Sequence, residues 1–201
     1  MLEDVIVEFI LKSETLKRIH RSGWQIAGVH VADYESVAAH SWGSSLIALL
    51  ISKHIARLGG EINTDCVLMM SLLHDISEAE LSDIPKRATD LGGAEMKAGK
   101  MKAESEAFRE LLEPLRSLLS IKHDQMGEGT SLEEKVVRAA DLLDMLFHVI
   151  ALERAGADPN LLDEFFVNSE QLISELGIEL ANSLFVRLEE MHNQNIKRQS
   201  E

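Results

Sequence analysis

The sequence predicts a single domain with an all-α fold. The 201-residue chain is rich in leucine, alanine, glutamate and methionine, and it has only three prolines and 4% aromatic residues, a composition that favours helices over strands. Apolar residues recur at helical spacing in segments bounded by capping residues and glycines. No repeat or linker divides the chain, and its length is sufficient for one substantial core.

The N-terminal part is predicted to contain two helices joined by a loop. A helical stripe of apolar residues covers residues 2–19, and the tetrad 21–24, Arg-Ser-Gly-Trp, resembles a turn. Residues 25–34 lack helical periodicity and are predicted to form a loop. Ser36 is a suitable N-cap for a second helix over 37–58, which a pair of glycines would end.

The next helix is predicted to form the centre of the protein. Residues 66–73 are apolar on almost every side, and a helix that is apolar all round is normally buried. This helix is predicted to end near Ala79, so that His74 and Asp75 lie at its inner end and Glu78 shares the face of His74. A buried imidazole and carboxylate are costly unless they pair with other groups or bind a metal ion.

The remainder of the chain is predicted to be helical apart from short breaks. The chain leaves the helix axis near Pro85, because proline cannot continue a helix. The elements that follow are a polar helix over 94–119 that bends at Pro114, a loop over 123–129, a helix over 132–156 that begins with a capping box at Ser131, and amphipathic helices over 161–176 and 178–191, with frayed residues at the end.

Four polar residues lie where the predicted helices should bury them. His40 lies in the first turn of its helix, Asp141 lies mid-helix among apolar neighbours, and His74 and Asp75 end the central helix. Taken singly, each could be a hydrogen-bonded structural residue, but their joint order favours a metal site. Two imidazoles and two carboxylates suit Mn²⁺, Co²⁺, Fe²⁺, Ni²⁺, Zn²⁺ or Mg²⁺, with positions left open for water and a substrate oxygen.

The order of these residues resembles that of the HD-domain metal-dependent phosphohydrolases. His40, His74-Asp75 and Asp141 follow the pattern of that family, with Arg-Ser-Gly-Trp at 21–24 ahead and Asp-Ile-Pro at 83–85 behind. The likeness is to the small subgroup that contains the bacterial 5'-deoxynucleotidases and their archaeal and eukaryotic relatives. It covers about residues 16–145, and it implies one HD-type helical bundle over 1–201 on whose core the C-terminal helices at 161–191 pack.

The resemblance implies a role for each matching position. Glu78 and Asp83 match acidic residues near the attacking water and the leaving group; we favour Asp83 as the acid–base residue, because the turn before Pro85 can hold it over the substrate. Arg21 matches the arginine at the substrate phosphate. Trp24 matches a tryptophan beside the sugar, although in the bacterial enzymes that residue directly follows the arginine. The implied ligands of one divalent metal ion are His40, His74, Asp75 and Asp141.

The resemblance implies an enzyme that releases phosphate from (deoxy)nucleoside 5'-monophosphates. Two alternatives stay open: a hydrolase of nucleotide polyphosphates or of a guanosine tetraphosphate alarmone, and a module that binds metal and nucleotide without turnover. The few basic residues near the motifs argue against a polyphosphate, and the presence of Glu78 and Asp83 argues against a module that only binds. The other histidines, among them His148 and His192, match no position of the pattern and are interpreted as structural or solvated.

Composition excludes several partners and locations. A formal net charge of −14 argues against binding long nucleic acid, which relies on a basic surface. The acidic N-terminus lacks the basic residues of a secretory signal, and no apolar run is long enough to span a membrane. A single cysteine, Cys66, fits a reducing cytoplasm. The resemblance further suggests a homodimer, for which the amphipathic C-terminal helices offer a surface.

Overall fold

The computed structural model describes residues 1–119 and 131–199, and these ranges contain helices and short connections but no β-strand. The predicted all-α fold is therefore confirmed. None of the described helices is both long enough and apolar enough to cross a membrane. The helices are α1 (Leu2–Ser13), α2 (Ser22–Ile26), α3 (Val37–Arg57), α4 (Thr64–Leu73), α5 (Glu78–Leu81), α6 (Lys86–Leu91), α7 (Gly93–Leu112), α8 (Arg116–Leu119), α9 (Leu132–Ala155), α10 (Asp163–Leu176) and α11 (Glu179–Gln199).

Helices α3, α4 and α9 pack against one another and form the centre of the molecule. Ile51 of α3, Val67 of α4, and Leu143 and Leu146 of α9 are completely buried in one continuous core. Burying a side chain of this size contributes about 1.5–3 kcal/mol. Apolar packing therefore holds together the three helices that carry or precede the predicted metal ligands.

Helices α10 and α11 cover another side of α9. Phe166 of α10 and Phe185 of α11 join the same core, and His192 of α11 stacks on Phe166 with ring centroids 4.5 Å apart. His192 is buried, and its Nδ1 forms a short hydrogen bond with Oε1 of Glu153 on α9. Asn195 donates a second hydrogen bond to Glu153, so α11 is joined to α9 by polar contacts as well as apolar ones.

A smaller apolar cluster lies on the other side of the predicted ligands. It contains Leu16, Val37 at the start of α3, Ile76 in the turn after α4, and Leu111 and Leu112 at the end of α7. Val37 precedes His40 by one helical turn, and Ile76 directly follows Asp75. The two clusters together position the segments from which the site is built.

Two predicted helix starts are confirmed with their caps. Oγ of Ser36 accepts a hydrogen bond from the backbone N–H of Ala39 at 3.1 Å, and α3 begins at Val37 as predicted. At the start of α9, Ser131 and Glu134 form the predicted capping box. Both caps use contacts three residues apart, which is why the sequence alone indicates them.

The central helix is shorter than predicted. It ends at Leu73 rather than near Ala79, and Leu72 is 55% exposed, so α4 buries one face and not its whole circumference. The helix gives way to tighter turns, because the N–H of Ile76 bonds the carbonyl of Leu73, three residues earlier. His74 and Glu78 therefore do not share one regular helical face.

Other differences from the predicted elements are local. The tetrad at 21–24, predicted as a turn, forms most of the short helix α2, and α6 is an additional helix directly after Pro85. Helix α11 runs to Gln199, beyond the predicted end at 191. The predicted loop over 123–129 lies outside the described residues. At Pro114, where a bend is predicted, a 3-10 turn over Glu113–Leu115 interrupts the helix and separates α7 from α8.

Candidate active site

His40 has carboxylates at both of its ring nitrogens. It lies in the first turn of α3, and its side chain has no exposed surface. Nε2 lies 2.9 Å from Oδ1 of Asp141, and Nδ1 lies 2.8 Å from Oδ2 of Asp144. Asp141 and Asp144 are three residues apart on α9, so they project from the same face of that helix. Helix α9 therefore holds the imidazole from two sides.

His74 and Asp75 lie in the turn that follows α4. Nδ1 of His74 donates to the carbonyl oxygen of Ser71 at 2.7 Å, because a carbonyl can only accept. Nε2 of His74 lies 3.2 Å from Oδ2 of Asp75, but the two groups are not aligned for a hydrogen bond. Oδ2 of Asp75 also lies 3.8 Å from Nε2 of His40. A ring nitrogen of each histidine and an oxygen of Asp141 lie within 4.8 Å of one another. The structure thus brings the four predicted ligands together.

The donor set fits a divalent cation. Because Nδ1 of His74 donates to a carbonyl, Nε2 of the neutral imidazole carries a lone pair. This nitrogen is buried and has no hydrogen-bond partner among the described residues, although the carboxylates of Asp75 and Asp141 lie beside it. Burial lowers the pKa of His74, but these carboxylates outweigh burial and raise it, so a cation would take the place of a proton here. A cation would satisfy both the lone pair and the carboxylates. Imidazole and carboxylate ligands suit several divalent ions, so the donor set does not select one.

Arg21 reaches this group from a distant part of the chain. The N–H of Arg21 donates to the carbonyl of Glu35 at 3.1 Å, and the N–H of Val37 donates to the carbonyl of Ile19 at 2.8 Å. These bonds hold the segment before α2 beside the start of α3. From there Nη1 of Arg21 donates to Oδ2 of Asp75 at 3.1 Å. The guanidinium therefore lies at the edge of the ligand set, where its other N–H groups can meet a substrate.

Glu78 is a buried carboxyl group with an unsatisfied oxygen. The residue is 8% exposed, and its Oε2 has no hydrogen-bond partner within the described part of the chain. Burial, together with the carboxylates of Asp75 and Asp83, raises the pKa of Glu78 to about 8, although Arg21 and His74 act in the opposite direction. In the metal-free protein this carboxyl group therefore keeps its proton at neutral pH.

Asp83 is hydrogen-bonded to the segment that carries Arg21. Its Oδ2 accepts from the backbone N–H of Ser22 at 2.5 Å and from the hydroxyl of Ser22 at 3.0 Å. Ser22 begins α2 and directly follows Arg21. Both hydrogen bonds use the same carboxylate oxygen, so Oδ2 is occupied as an acceptor. Asp83 therefore anchors the start of α2 beside the site.

The charged groups of the predicted ligand set shift one another's pKa values. Burial lowers the pKa of His40, but hydrogen bonds with Asp141 and Asp144 outweigh it and raise that pKa to about 10. Burial also opposes ionisation of Asp75, whereas His74 and Arg21 hold the pKa of that carboxyl well below its usual range. A cation at Nε2 of His40 would displace a proton, so metal binding is coupled to proton release.

Trp24 lies in the core, which contradicts the predicted contact with a sugar. The side chain is 1% exposed, and its Nε1–H donates to Oε1 of Glu35 at 3.0 Å. Its ring stacks on Phe165 at a centroid distance of 4.7 Å and packs against His148 at 4.8 Å. Trp24 therefore packs into the core, whereas Arg21, the N-cap of α2, reaches Asp75. No face of the indole is left for a substrate.

Two polar residues next to His40, Asp144 and Glu35, are not among the predicted site residues. Asp144 contacts Nδ1 of His40, and an oxygen of Glu35 lies within 4.8 Å of both side chains. Oε2 of Glu35 lies 3.8 Å from Nδ1 of His148. One signal was present in the sequence: Asp144 follows Asp141 by three residues, the spacing that places both on one helical face. Glu35 carries no comparable signal, because its neighbours Asp144 and His148 lie more than 100 positions further along the chain.

Comparisons with known proteins agree with this architecture. The sequence profile of the HD domain family matches residues 13–177. The 5'-deoxynucleotidase HDDC2 of Danio rerio is 27% identical over 167 residues, which cover 83% of this chain and 79% of that protein. Among solved structures, the PH0347 protein of Pyrococcus horikoshii OT3 is 33% identical with a TM-score of 0.70, over 90% of this chain and 99% of that chain.

A further solved structure supports the fold alone. An HD-domain phosphohydrolase from Listeria innocua aligns with a TM-score of 0.73 over 96% of this chain and 92% of that chain, at 20% sequence identity. With the family profile covering most of the sequence, this chain belongs to the HD-domain family.

Proposed function

We propose that this protein is a metal-dependent phosphomonoesterase that releases phosphate from nucleoside 5'-monophosphates, with preference for deoxy forms. The observation that carries the proposal is a single guanidinium, that of Arg21, held at the edge of the predicted ligand set. Within residues 1–119 and 131–199, no other lysine or arginine forms an ion pair with the carboxylates of the site. One guanidinium matches one phosphoryl group, whereas a polyphosphate needs more positive charge.

The metal ion would be held by both histidines and both aspartates of the ligand set. A divalent ion bound there supplies a Lewis acid that lowers the pKa of a coordinated water and polarises a phosphoryl oxygen. Arg21 would bind the remaining phosphoryl oxygens, whose negative charge must be neutralised during transfer. Its hydrogen bond to Asp75 orients the guanidinium towards the ligand set before a substrate arrives.

The surroundings of the two acidic residues favour Glu78 as the proton donor. A 5'-alkoxide is a poor leaving group and needs a proton from a nearby acid. Oε2 of Glu78 is buried without a partner, and its raised pKa of about 8 keeps the proton in place at neutral pH. A bound cation would lower this pKa, which brings it closer to the working pH. Asp83, whose Oδ2 is already occupied by Ser22, is better suited to hold Arg21 in position.

The relatives support the substrate class. The similarity to a protein named a 5'-deoxynucleotidase extends over most of this chain, at 27% identity. The buried position of Trp24 removes one side chain that was expected beside the sugar, so other residues must select the sugar. The contacts of the site therefore support a phosphate monoester as substrate more directly than they support a particular nucleoside.

A nucleotide panel tests the proposal. Metal-free protein is reconstituted with Mn²⁺ or Co²⁺ and incubated with the four deoxynucleoside 5'-monophosphates, the matching ribonucleotides, deoxynucleoside triphosphates and guanosine tetraphosphate. We expect inorganic phosphate from the monophosphates and little from the other compounds, with His74→Ala as the inactive control. Release of pyrophosphate or triphosphate would favour the polyphosphate alternative. Nucleotide binding without any turnover would favour a module that only binds.

A further inference from the structure

We propose that Asp144 is a positioning residue that directs Nε2 of His40 towards the metal ion, and that Gly43 provides the space which the carboxylate of Asp144 needs. The inference rests on the metal site of the proposed function, but not on the identity of the substrate. It assigns a role to two residues that the sequence pattern of the ligands does not contain.

The two nitrogens of His40 have different surroundings. Nε2 faces the other predicted ligands, at 2.9 Å from Oδ1 of Asp141 and 3.8 Å from Oδ2 of Asp75. Nδ1 faces away from them, at 2.8 Å from Oδ2 of Asp144. A nitrogen that binds a metal ion cannot carry a proton, so a neutral metal-binding His40 must keep its proton on Nδ1 and donate it to Asp144. Asp144 thus selects the tautomer that leaves Nε2 available.

Burial makes this hydrogen bond hard to replace. The His40 side chain has no exposed surface, and that of Asp144 is 14% exposed. If the carboxylate were removed, bulk water could not readily reach Nδ1 to accept its proton. The ring would then lose the contact that sets both its tautomer and its rotation. Residues that hold metal-binding histidines in this way affect metal affinity strongly.

Gly43 explains how Asp144 comes so close to α3. Gly43 follows His40 by three residues and lies on the same face of α3. A Cβ atom at this position would lie 2.0 Å from Oδ1 and 2.8 Å from Cγ of Asp144. Glycine is disfavoured inside a helix, so its presence needs a packing reason. Gly99, inside α7, shows the contrast, because nothing lies within 4 Å of a Cβ placed there.

The same atoms could alternatively bind a second cation, with Glu35 as the third ligand. A ring nitrogen of His40 and carboxylate oxygens of Glu35 and Asp144 lie within 4.8 Å of one another. Such an ion would require Nδ1 as well as Nε2 to lose its proton. The separation of 2.8 Å between Nδ1 and Oδ2 of Asp144 is that of a direct hydrogen bond. Glu35 is itself engaged, since its Oε1 accepts the indole N–H of Trp24. The contacts therefore favour the positioning role.

Metal binding without nucleotide tests the inference. The affinity and stoichiometry of Mn²⁺ are measured by titration calorimetry on metal-free wild type, Asp144→Ala, Asp144→Asn and Gly43→Ala, with helix content checked by circular dichroism. We expect one ion per chain in the wild type. Asp144→Ala should weaken Mn²⁺ binding by roughly 10- to 100-fold. Asp144→Asn should weaken it less, because the amide oxygen can still accept from Nδ1.

The role of Gly43 is tested with a matched control, Gly99→Ala, and with a double variant that also lacks the Asp144 carboxylate. Gly43→Ala should weaken Mn²⁺ binding as Asp144→Ala does, whereas Gly99→Ala should leave it unchanged. Gly43→Ala combined with Asp144→Ala should bind Mn²⁺ no more weakly than Asp144→Ala alone, because the clash has been removed. If Gly43→Ala does not fold, the two Asp144 variants still decide the question.

Two results would overturn the inference. One is wild-type Mn²⁺ affinity in Asp144→Ala, and the other is two ions per wild-type chain with one lost in Asp144→Ala, which would make Asp144 a ligand. Because no nucleotide is present, a wild type that binds Mn²⁺ but hydrolyses no nucleotide would contradict the proposed function and leave this inference intact.

Discussion

Glu78 and Asp83 differ at the level of single atoms, although both are acidic residues that follow the same motif. Oε2 of Glu78 has no hydrogen-bond partner among the described residues, whereas Oδ2 of Asp83 accepts two hydrogen bonds from Ser22. A proton donor needs an oxygen that can hold a proton near the leaving group, whereas an oxygen that already accepts two hydrogen bonds is suited to an anchor. The sequence favours Asp83 as the acid; the contacts of the two side chains favour Glu78.

Substitution of the two acids should separate these roles. Glu78→Gln keeps the shape and removes the proton, so kcat should fall by roughly 10²–10⁴ while metal content is retained. Asp83→Ala removes the hydrogen bonds to Ser22 and so loosens Arg21, which should mainly raise KM. Asp83→Asn should raise KM less, because its amide oxygen can still accept a hydrogen bond from Ser22. Steady-state kinetics on metal-loaded protein distinguish the two patterns. Glu80→Gln, on the same short helix and exposed, is the control. Loss of turnover in Asp83→Asn but not in Glu78→Gln would return the acid role to Asp83.

Arg21 should contribute mainly to binding the phosphate. Arg21→Ala removes a charged contact of about 1.5–3 kcal/mol, which corresponds to a rise in KM of about 10- to 150-fold for phosphorylated substrates. Binding of the free nucleoside should change little. Arg21→Lys should recover little, because it restores the charge without the planar fork. Equal losses for nucleotide and nucleoside would show that Arg21 acts through the structure and not through the phosphate.

The raised pKa of Glu78 also predicts a pH dependence of stability in the metal-free protein. The folded state holds this proton up to a pKa of about 8, whereas the unfolded chain releases it near the ordinary value of 4.5. The protonated carboxyl group therefore makes its full contribution to the stability of the fold below pH 4.5. This contribution is lost as the pH rises towards 8.

Glu78→Gln should remove this loss of stability at rising pH, because glutamine does not ionise. Thermal unfolding of metal-free wild type and Glu78→Gln should show the variant gaining stability relative to the wild type between pH 5 and pH 8.5, with Tm changing by roughly 2–4 °C for each kcal/mol. Glu80→Gln should show no such trend, since Glu80 is exposed. A difference between wild type and Glu78→Gln that is constant with pH would exclude a proton on Glu78.

At the scale of helices, α9 links the site to the C-terminal half of the molecule. It carries Asp141 and Asp144 at its middle and Glu153 near its end, where α11 is attached through His192. Glu153 follows Asp141 by twelve residues, or about 18 Å along the helix. The two groups of polar contacts are therefore separated in space, and stability and metal binding should respond to different substitutions.

His192→Ala tests this separation. The variant leaves the carboxylate of Glu153, whose side chain has no exposed surface, without its imidazole partner. Removing one partner of a buried hydrogen-bonded pair costs about 1–3 kcal/mol of unfolding free energy. Denaturant unfolding should show this loss, while Mn²⁺ affinity stays at the wild-type value. Asn193→Ala, an exposed neighbour on α11, should change neither quantity. A parallel loss of metal affinity would show that α11 also supports the site.

At the scale of the whole molecule, we expect the fold of this acidic chain to depend on apolar packing and its activity to depend on a bound cation. The net charge is −14, and all four predicted ligands come from or follow helices that share one apolar core. This core does not include the metal ligands. The fold should therefore persist when the metal is removed, whereas activity should not. The predicted homodimer and the cytoplasmic location stay predictions; sedimentation velocity would check the first.

Chelation provides the test at this scale. Treatment with EDTA followed by desalting should abolish phosphate release and leave the far-ultraviolet circular dichroism spectrum nearly unchanged, and added Mn²⁺ or Co²⁺ should restore activity. His74→Ala and Asp141→Ala should show sharply reduced metal occupancy with the same helix content. If chelation unfolds the protein, the metal would be a structural element of the bundle, contrary to this view of the core.

The amino-acid sequence by itself determined the helical class, the starts of the long helices and the positions of the candidate ligands. These features depend on interactions between residues close in the chain. The cap of Ser36 and the capping box of Ser131 each span three residues, and apolar periodicity is likewise local. The ordered pattern of histidines and aspartates is readable for the same reason, since it needs no knowledge of distances in space.

Only the tertiary structure decided which side chains meet. The contact between His40 and Asp144 joins residues 104 positions apart, and that between Ser22 and Asp83 joins residues 61 positions apart. The burial of Trp24 likewise depends on elements from distant parts of the chain. Local propensity carries no information about such contacts, because they form when the apolar faces of separate helices pack. The partners of each ligand, and hence the division of roles proposed for the acidic residues, follow from that packing.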